Sequence, residues 1–190
     1  MNDLYTFIYR GVLTEESLDK AGRNSKPSFG PEDAEALRAA LSLELIDDDL
    51  VTNARRMAII YTAVHAFENS VRKFVEKALF EIHEQGWWQT AVSERIRKKV
   101  TARMEEEARF KWHGSRGGSE IEYCDFGDLS NIIVQNWTHF EDVLADIEWT
   151  KSVLSVLERS RNIVMHGGSL ARQDIERIGM NIRDWTRQAG

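Results

Sequence analysis

Three polar residues near the C-terminus have side chains that together suit the cleavage of a phosphodiester bond. Arg161 and Asn162 follow an apolar helical pattern, and His166 comes directly before two glycines. A histidine, with an ordinary pKa of about 6.5, can take up or release a proton near neutral pH. An arginine offers fixed N–H donors for the oxygens of a five-coordinate phosphate. Because the 2′-OH of RNA can attack its own neighbouring phosphorus, these residue types favour RNA cleavage without a metal ion.

The spacing of Arg161 and His166 sets a geometric condition on this chemistry. On a continuous helix, residues five apart diverge by about 140°, so the two side chains point to different sides. They can meet at one target if the helix frays or turns at the two following glycines, or if a second copy of the chain completes the site. Spacing alone is weak evidence, because most such Arg and His residues are unrelated surface residues.

The surrounding pattern predicts an all-helical fold in which these residues lie at the end of a helix. Prolines occur only at Pro27 and Pro31, so long helices can form after residue 31. We expect helices at about residues 31–43, 48–84, 90–112, 126–135, 137–165 (with a break near Glu148 as an alternative) and 171–187. The predicted architecture is an antiparallel helical bundle over residues 49–190. An N-terminal extension, 1–48, precedes it with a linker at 21–30 and a short acidic helix.

The strongest periodic pattern belongs to the helix predicted at 48–84. Apolar residues recur there at spacings of three and four, which places them on one face of an amphipathic helix. They are Met57, Ile60, Val64, Phe67, Val71, Phe74, Ala78 and Ile82. Glu68 and Arg72 lie on the flank of this face, in the favourable order for an ion pair. Two interpretations are open: the pair fixes packing, or it supports the Arg161/His166 site from beside it.

The acidic net charge does not exclude a nucleic-acid partner. The charge is −6, but residues 31–49 carry seven acidic residues against one arginine, so the remaining chain is neutral overall. Basic residues at 95–103 and 159–187 can therefore bind phosphates locally. For the 93–103 segment alone we favour a solvated helix face.

The composition disfavours several other classes of protein. A single cysteine, Cys124, cannot form an intramolecular disulfide, and we expect it to be a small buried side chain. The histidines are too scattered for a metal site, so we expect neither a metal nor a cofactor. No segment has the roughly 18 apolar residues that cross a bilayer, and the N-terminus lacks signal-peptide features, so we expect a cytoplasmic protein. We expect most of the six tryptophans to pack in the core rather than to stack on bases.

Three segments in order along the chain resemble the HEPN superfamily. Arg161, Asn162 and His166 resemble its Arg-polar-x3-His motif. Residues 67–72, Phe-Glu-Asn-Ser-Val-Arg, resemble the Phe-Glu-Asn-x-x-Arg pattern on the first core helix of one HEPN subgroup. Residues 125–140 resemble a Phe-x-x-Leu, Ile-Ile, Trp, Phe stretch of that subgroup, and Asp174 matches a recurrent acidic position. The resemblance covers about residues 55–180, and residues 1–50 carry none.

The resemblance implies a helical bundle that forms a homodimer, with the two Arg/His motifs facing each other across a cleft. Many such domains are metal-independent ribonucleases that act as toxins, in phage defence or in RNA processing. In that case Arg161 stabilises the phosphate, His166 transfers a proton as acid or base, and Asn162 orients them, with Glu68 and Arg72 in support. An antitoxin or other regulatory partner is then expected. Two alternatives stay open: a non-catalytic module that dimerises or binds nucleotide or RNA for a partner protein, and a structural helical adaptor.

Overall fold

A computed structural model describes residues 14, 17, 18 and 31–189. The predicted linker at 21–30 and nearly all of residues 1–20 lie outside the described residues. The chain divides into two compact units, residues 1–51 and 52–190. The predicted domain boundary at 48/49 stays a prediction.

The first unit contains the short helix α1, Pro31–Ala40. Its first turn carries Glu32 and Asp33, which favour the positive end of the helix dipole. The helix ends three residues earlier than predicted because Ser42 adopts a left-handed conformation with φ 51°. A 3-10 turn, Leu43–Leu45, follows.

Helix α2, Asp48–His83, is continuous and agrees with its predicted bounds to one residue. The first five predicted core residues, Met57 to Val71, are buried. Further along the helix, Val75 and Leu79 are buried and Ile82 is not. Steps of four residues advance the buried line by about 40° each, so by the last turn it has moved away from Ile82. The prediction for Ile82 is therefore wrong, since its side chain is 48% exposed.

The segment after α2 turns sharply before the next long helix. Trp87 and Trp88 begin a short helix, α3 (Trp87–Ala91), and their two indole rings are buried and meet edge-on at 5.4 Å. Helix α4, Glu94–Ala108, starts and ends inside the predicted 90–112 range. Residues Glu120–Tyr123 form a 3-10 helix, which Ser119 and Glu122 cap reciprocally.

The C-terminal half supplies the remaining helices. Helix α5, Phe126–Gln135, matches its prediction, and Asp125 caps it by accepting a hydrogen bond from the Asp128 amide at 2.8 Å. The predicted 137–165 helix is divided, as the alternative allowed: a 3-10 turn at Trp137–His139 is followed by α6, Ile147–Met165. Helix α7, Arg172–Ala189, completes the bundle.

The core of the second unit is an aromatic cluster that joins four helices. Trp185 of α7 meets Phe67 and Phe74 of α2 edge-on, and it stacks on Trp149 of α6 at 5.9 Å. Phe67 also stacks on Phe126 of α5. Cys124 is buried as predicted. The described residues contain no strand, so the predicted all-helical bundle is confirmed. Within these residues, no helix combines the length and apolar character needed to cross a membrane.

Candidate active site

Helix α6 fixes the position of the three polar residues through its buried face. Its N-terminus is capped by Asp146, whose carboxylate accepts a hydrogen bond from the Trp149 amide at 2.8 Å. Val153, Leu154 and Leu157 are buried in the bundle, which fixes the rotation of the helix about its axis. The last turn therefore presents its polar side chains at one end of the bundle.

The end of α6 is a tight glycine turn. Gly167 has φ 76°, and its amide donates to the carbonyl of Val164 at 3.2 Å. The Gly168 amide donates to the carbonyl of Ile163 at 2.8 Å, which completes the pair of hydrogen bonds of a Schellman cap. The helix is thus regular through Met165, and the exposed His166 is its C-cap residue.

Arg161 lies at the surface, and its side chain contacts a buried carboxylate. Its Nε is 3.5 Å from Oε2 of Glu68, and the side chain of Glu68 is only 3% exposed. One Nη of Arg161 also lies 3.4 Å from the side-chain oxygen of Asn162. The Arg161 side chain remains 35% exposed, so part of its guanidinium faces solvent.

Glu68 holds a second arginine on its own helix. Its Oε1 accepts a hydrogen bond from Nη2 of Arg72 at 2.5 Å, and the same Nη2 donates to the carbonyl of Cys124 at 2.8 Å. Arg72 Nη1 donates to Oδ1 of Asn69 at 2.9 Å. The sequence-predicted ion pair is thus present, and it contacts both the packed interior and Arg161.

Arg161 lines a polar cleft of about 480 Å³, here called the Arg161 cleft. Four arginines line it together with three carboxylates and an exposed histidine on α2. The lining residues are Tyr61, His65, Glu68, Asn69, Arg72, Arg103, Arg116, Glu122, Cys124, Asp125 and Arg161. Of these, sequence reasoning assigned no role to Tyr61, Asn69 or His65, although their four-residue spacing on a helix indicates a shared face.

His166 lines a different cleft, of about 500 Å³, here called the His166 cleft. Its lining residues are Ser155, Glu158, Arg159, Asn162, Ile163 and His166. Asn162 contacts Arg161 and lines the His166 cleft, so it lies near both side chains, whereas Arg161 lines the first of these two clefts and His166 lines the second.

The carboxyl of Glu158, in the His166 cleft, has a raised pKa. Burial is the main cause, and the negative charge of Asp125 adds to it. Asp174 lines a third, smaller cleft between α6 and α7, together with Arg159 and Arg177.

Arg95, Lys98 and Lys99 of α4 are exposed, as expected of a solvated face, but two basic residues of this helix also form ion pairs with α5. Lys99 and Arg103 pair with Asp125 and Asp128 at the start of α5, with N–O distances of 2.6–3.1 Å. Burial opposes the ionisation of Asp125, but the hydrogen bond from the Asp128 amide and the pairs with Arg103 and Lys99 outweigh it. The pKa of that carboxyl therefore lies well below its usual range. This four-membered ion cluster fixes α4 against α5 beside the Arg161 cleft.

Burial raises the pKa of the nearby Cys124 thiol to about 12, and the charges of Asp128 and Asp125 act in the same direction. The fold also brings two distant histidines together: the rings of His83 and His139 meet edge-on at 5.8 Å. Across the part of the chain that the structure describes, no three His, Cys, Asp or Glu side chains are grouped so that they could hold a metal ion.

Comparison with known proteins identifies a relationship over most of the chain. A family model described as Swt1-like HEPN matches residues 62–190. The matched region includes Glu68, Arg72, Arg161 and His166. Neither the curated proteins nor the solved structures contain a match to the chain.

Proposed function

Because the chain belongs to the Swt1-like HEPN family, we propose that it is an RNA endonuclease that cleaves without a metal ion. The ribose 2′-oxygen forms a bond to the neighbouring phosphorus, and the bond from phosphorus to the 5′-oxygen breaks. A base takes the proton of the 2′-OH, and an acid gives a proton to the departing 5′-oxygen. The products are a 2′,3′-cyclic phosphate and a 5′-OH.

The observation that carries this proposal is the support of Arg161 by a buried carboxylate. Glu68 is held on one side by Arg72 and contacts Arg161 Nε on the other, at 3.5 Å, so the guanidinium is positioned before RNA arrives. A donor group that is fixed in advance stabilises the charge that develops on the phosphate oxygens without a cost of reorganisation. In this proposal His166 transfers a proton, and Asn162, which contacts Arg161, orients the two.

We further propose that the active enzyme is a homodimer with a composite site. Arg161 and His166 line separate clefts of one chain, so a single phosphodiester can contact both residue types when a second copy supplies one of them. HEPN domains commonly dimerise and bind RNA, which supports this arrangement.

The direct test is to incubate purified protein with total cellular RNA in EDTA. We expect cleavage by the wild type and none by His166→Ala, with both proteins folded as judged by circular dichroism. The matched control is His113→Ala, since His113 lines neither cleft and should leave cleavage unchanged. Mass spectrometry of a cut oligonucleotide should find the cyclic phosphate. Cleavage that persists in His166→Ala would rule out this mechanism.

The separation of the two clefts also favours a second candidate, a module that dimerises or binds nucleotide or RNA without cutting it. In that case the purified wild type binds RNA but leaves it intact in the same assay. Arg161→Ala then weakens binding or assembly and changes nothing else.

The nuclease proposal extends to the biological setting. An unrestrained ribonuclease harms its own cell, so we propose a toxin or phage-defence effector in the cytoplasm, held inactive by an antitoxin or another regulatory partner. Expression of the wild type should be toxic to the host cell, and co-expression of the regulatory partner should relieve that toxicity. Expression of His166→Ala should not be toxic.

A further inference from the structure

The Arg161 cleft contains an aromatic pair that the proposed chemistry does not use. Tyr61 and His65 lie one helical turn apart on α2, with ring centroids 5.4 Å apart and planes inclined by 20°. Tyr61 is half-buried, and His65 is exposed. Both line the cleft that the guanidinium of Arg161 also lines.

A series of hydrogen bonds connects the His65 ring, through Asn69 and Arg72, to the carboxylate of Glu68 that contacts Arg161, and this series fixes the orientation of the ring. Arg72 has only donors, so the atom of Asn69 that it contacts at 2.9 Å must be the side-chain oxygen. The amide nitrogen of Asn69 then faces His65 Nε2 at 3.1 Å and donates to it. In the neutral ring the proton therefore lies on Nδ1, and this N–H has no hydrogen-bond partner among residues 31–189.

The charges around the pair suit a phosphate. Arg116 and Arg161 are partly exposed, at 54% and 35%, and Nε of Arg116 lies 3.6 Å from Oε1 of Glu107, while the carboxylates of Glu68 and Asp125 are paired with cations. Glu122 accepts hydrogen bonds from the amide and hydroxyl of Ser119. The cleft thus places two partly exposed arginine side chains beside an aromatic surface. Its volume of about 480 Å³ lies within the roughly 300–1,000 Å³ of small-molecule sites.

We propose that the Arg161 cleft binds one unpaired nucleotide of the RNA, next to the bond that is cut. The base packs against the Tyr61–His65 pair, and the backbone phosphate meets Arg161 and Arg116. Aromatic rings accept any base because every base has a π-face, and Nδ1–H of His65 adds one donor for a base or phosphate oxygen. This inference rests on the proposed function for the position of the cut, but the binding itself does not require cleavage.

The test measures binding of fluorescein-labelled 2′-O-methyl oligoribonucleotides, which cannot be cut because the attacking oxygen is blocked. One probe of each of the four homopolymers is titrated in fluorescence anisotropy. We expect the affinity for the best of them to fall about tenfold in His65→Ala and in Tyr61→Ala, as the loss of one stacked base predicts. His65→Phe and Tyr61→Phe keep a ring and should retain most of the affinity.

The matched control is Trp112→Ala, an exposed aromatic residue that does not line the cleft, whose affinity should equal that of the wild type. Melting temperatures show that each variant is folded. Equal binding by the wild type and both alanine variants would overturn the inference, and so would an absence of binding to every probe. Wild type that binds through these residues but never cuts RNA would refute the proposed function and support the nucleotide site.

Discussion

The position of the Arg161 side chain depends on Glu68, the carboxylate with which its Nε pairs. It is buried between two guanidinium groups, so Glu68→Gln keeps the shape of the side chain and removes the charge that both arginines face. We expect the free energy of unfolding to fall by about 2 kcal/mol, because Arg72 is left without a full counter-charge. Urea denaturation measures this loss. RNA cleavage should fall as well, since Arg161 loses its fixed orientation.

The control for Glu68→Gln is Glu81→Gln on the same helix. Glu81 is exposed, so its replacement should change the free energy of unfolding by less than about 0.5 kcal/mol. If Glu68→Gln were as stable and as active as Glu81→Gln, the buried contact with the two arginines would have no role in stability or catalysis.

Asp125 should make stability depend on acid pH. Its pKa in the folded protein is depressed by the Asp128 amide, Arg103 and Lys99, so the folded state binds its proton less readily than the unfolded chain. Asp125 therefore contributes stability above its unfolded pKa of about 3.9. That contribution is lost as the pH falls further, towards the folded value.

The comparison that isolates this effect is wild type against Asp125→Asn in urea, at pH 7 and at pH 3. The variant should be clearly less stable at pH 7, and the difference should shrink at pH 3. A difference that is the same at both values would mean that the carboxylate charge of Asp125 does not stabilise the fold.

At the scale of elements, the end of α6 determines where His166 lies. Gly167 has φ 76°, whereas Gly86, at the start of α3, has φ −87°. A Cβ added at either glycine would meet nothing within 4 Å. Gly167→Ala should therefore cost about 1 kcal/mol of stability through backbone strain alone, while Gly86→Ala should be close to neutral. Urea midpoints of the two variants test this. Equal midpoints would mean that the helix end relaxes freely.

The helices themselves could be predicted from the sequence because apolar periodicity is a local property. The bounds of α2 and α5 follow from their patterns and flanking residues. The end of α1 could not be predicted, since the left-handed Ser42 that stops it is not a residue type that requires this conformation. The periodicity also could not show the drift of the buried line that leaves Ile82 exposed.

Part of the candidate site could be predicted from the sequence for the same reason, because some of its contacts are local. The pair of Glu68 and Arg72 is local, and its four-residue spacing predicts the contact that forms. The contact between Glu68 and Arg161 joins residues far apart along the chain, so no spacing rule gives it. The ion cluster of Lys99 and Arg103 with Asp125 and Asp128 is likewise a product of packing between α4 and α5. It adds two ion-paired residues, Lys99 and Arg103, to a helix face that is otherwise exposed as predicted.

At the scale of the whole molecule, each of the two clefts of one chain contains one of the two side chains that the proposed reaction needs. The Arg161 cleft is lined by the positioned guanidinium but not by His166. The His166 cleft is lined by Asn162 and Glu158 but not by Arg161. Because α6 is regular through Met165 and ends in a Schellman cap, its backbone does not bend so as to bring these two side chains into one cleft. Assembly of two copies is therefore the step that the proposed catalysis requires.

This requirement predicts complementation between two inactive variants. If each site takes its arginine from one copy and its histidine from the other, a mixed dimer of Arg161→Ala and His166→Ala contains one intact site. A wild-type dimer has two such sites, so the purified mixed dimer should show about half of the wild-type cleavage. The two variants are co-expressed with different tags, the mixed dimer is purified through both, and its mass is checked by light scattering. A mixed dimer that forms but cuts no RNA would show that both groups must come from the same chain, and a monomer that cuts RNA would exclude the composite site.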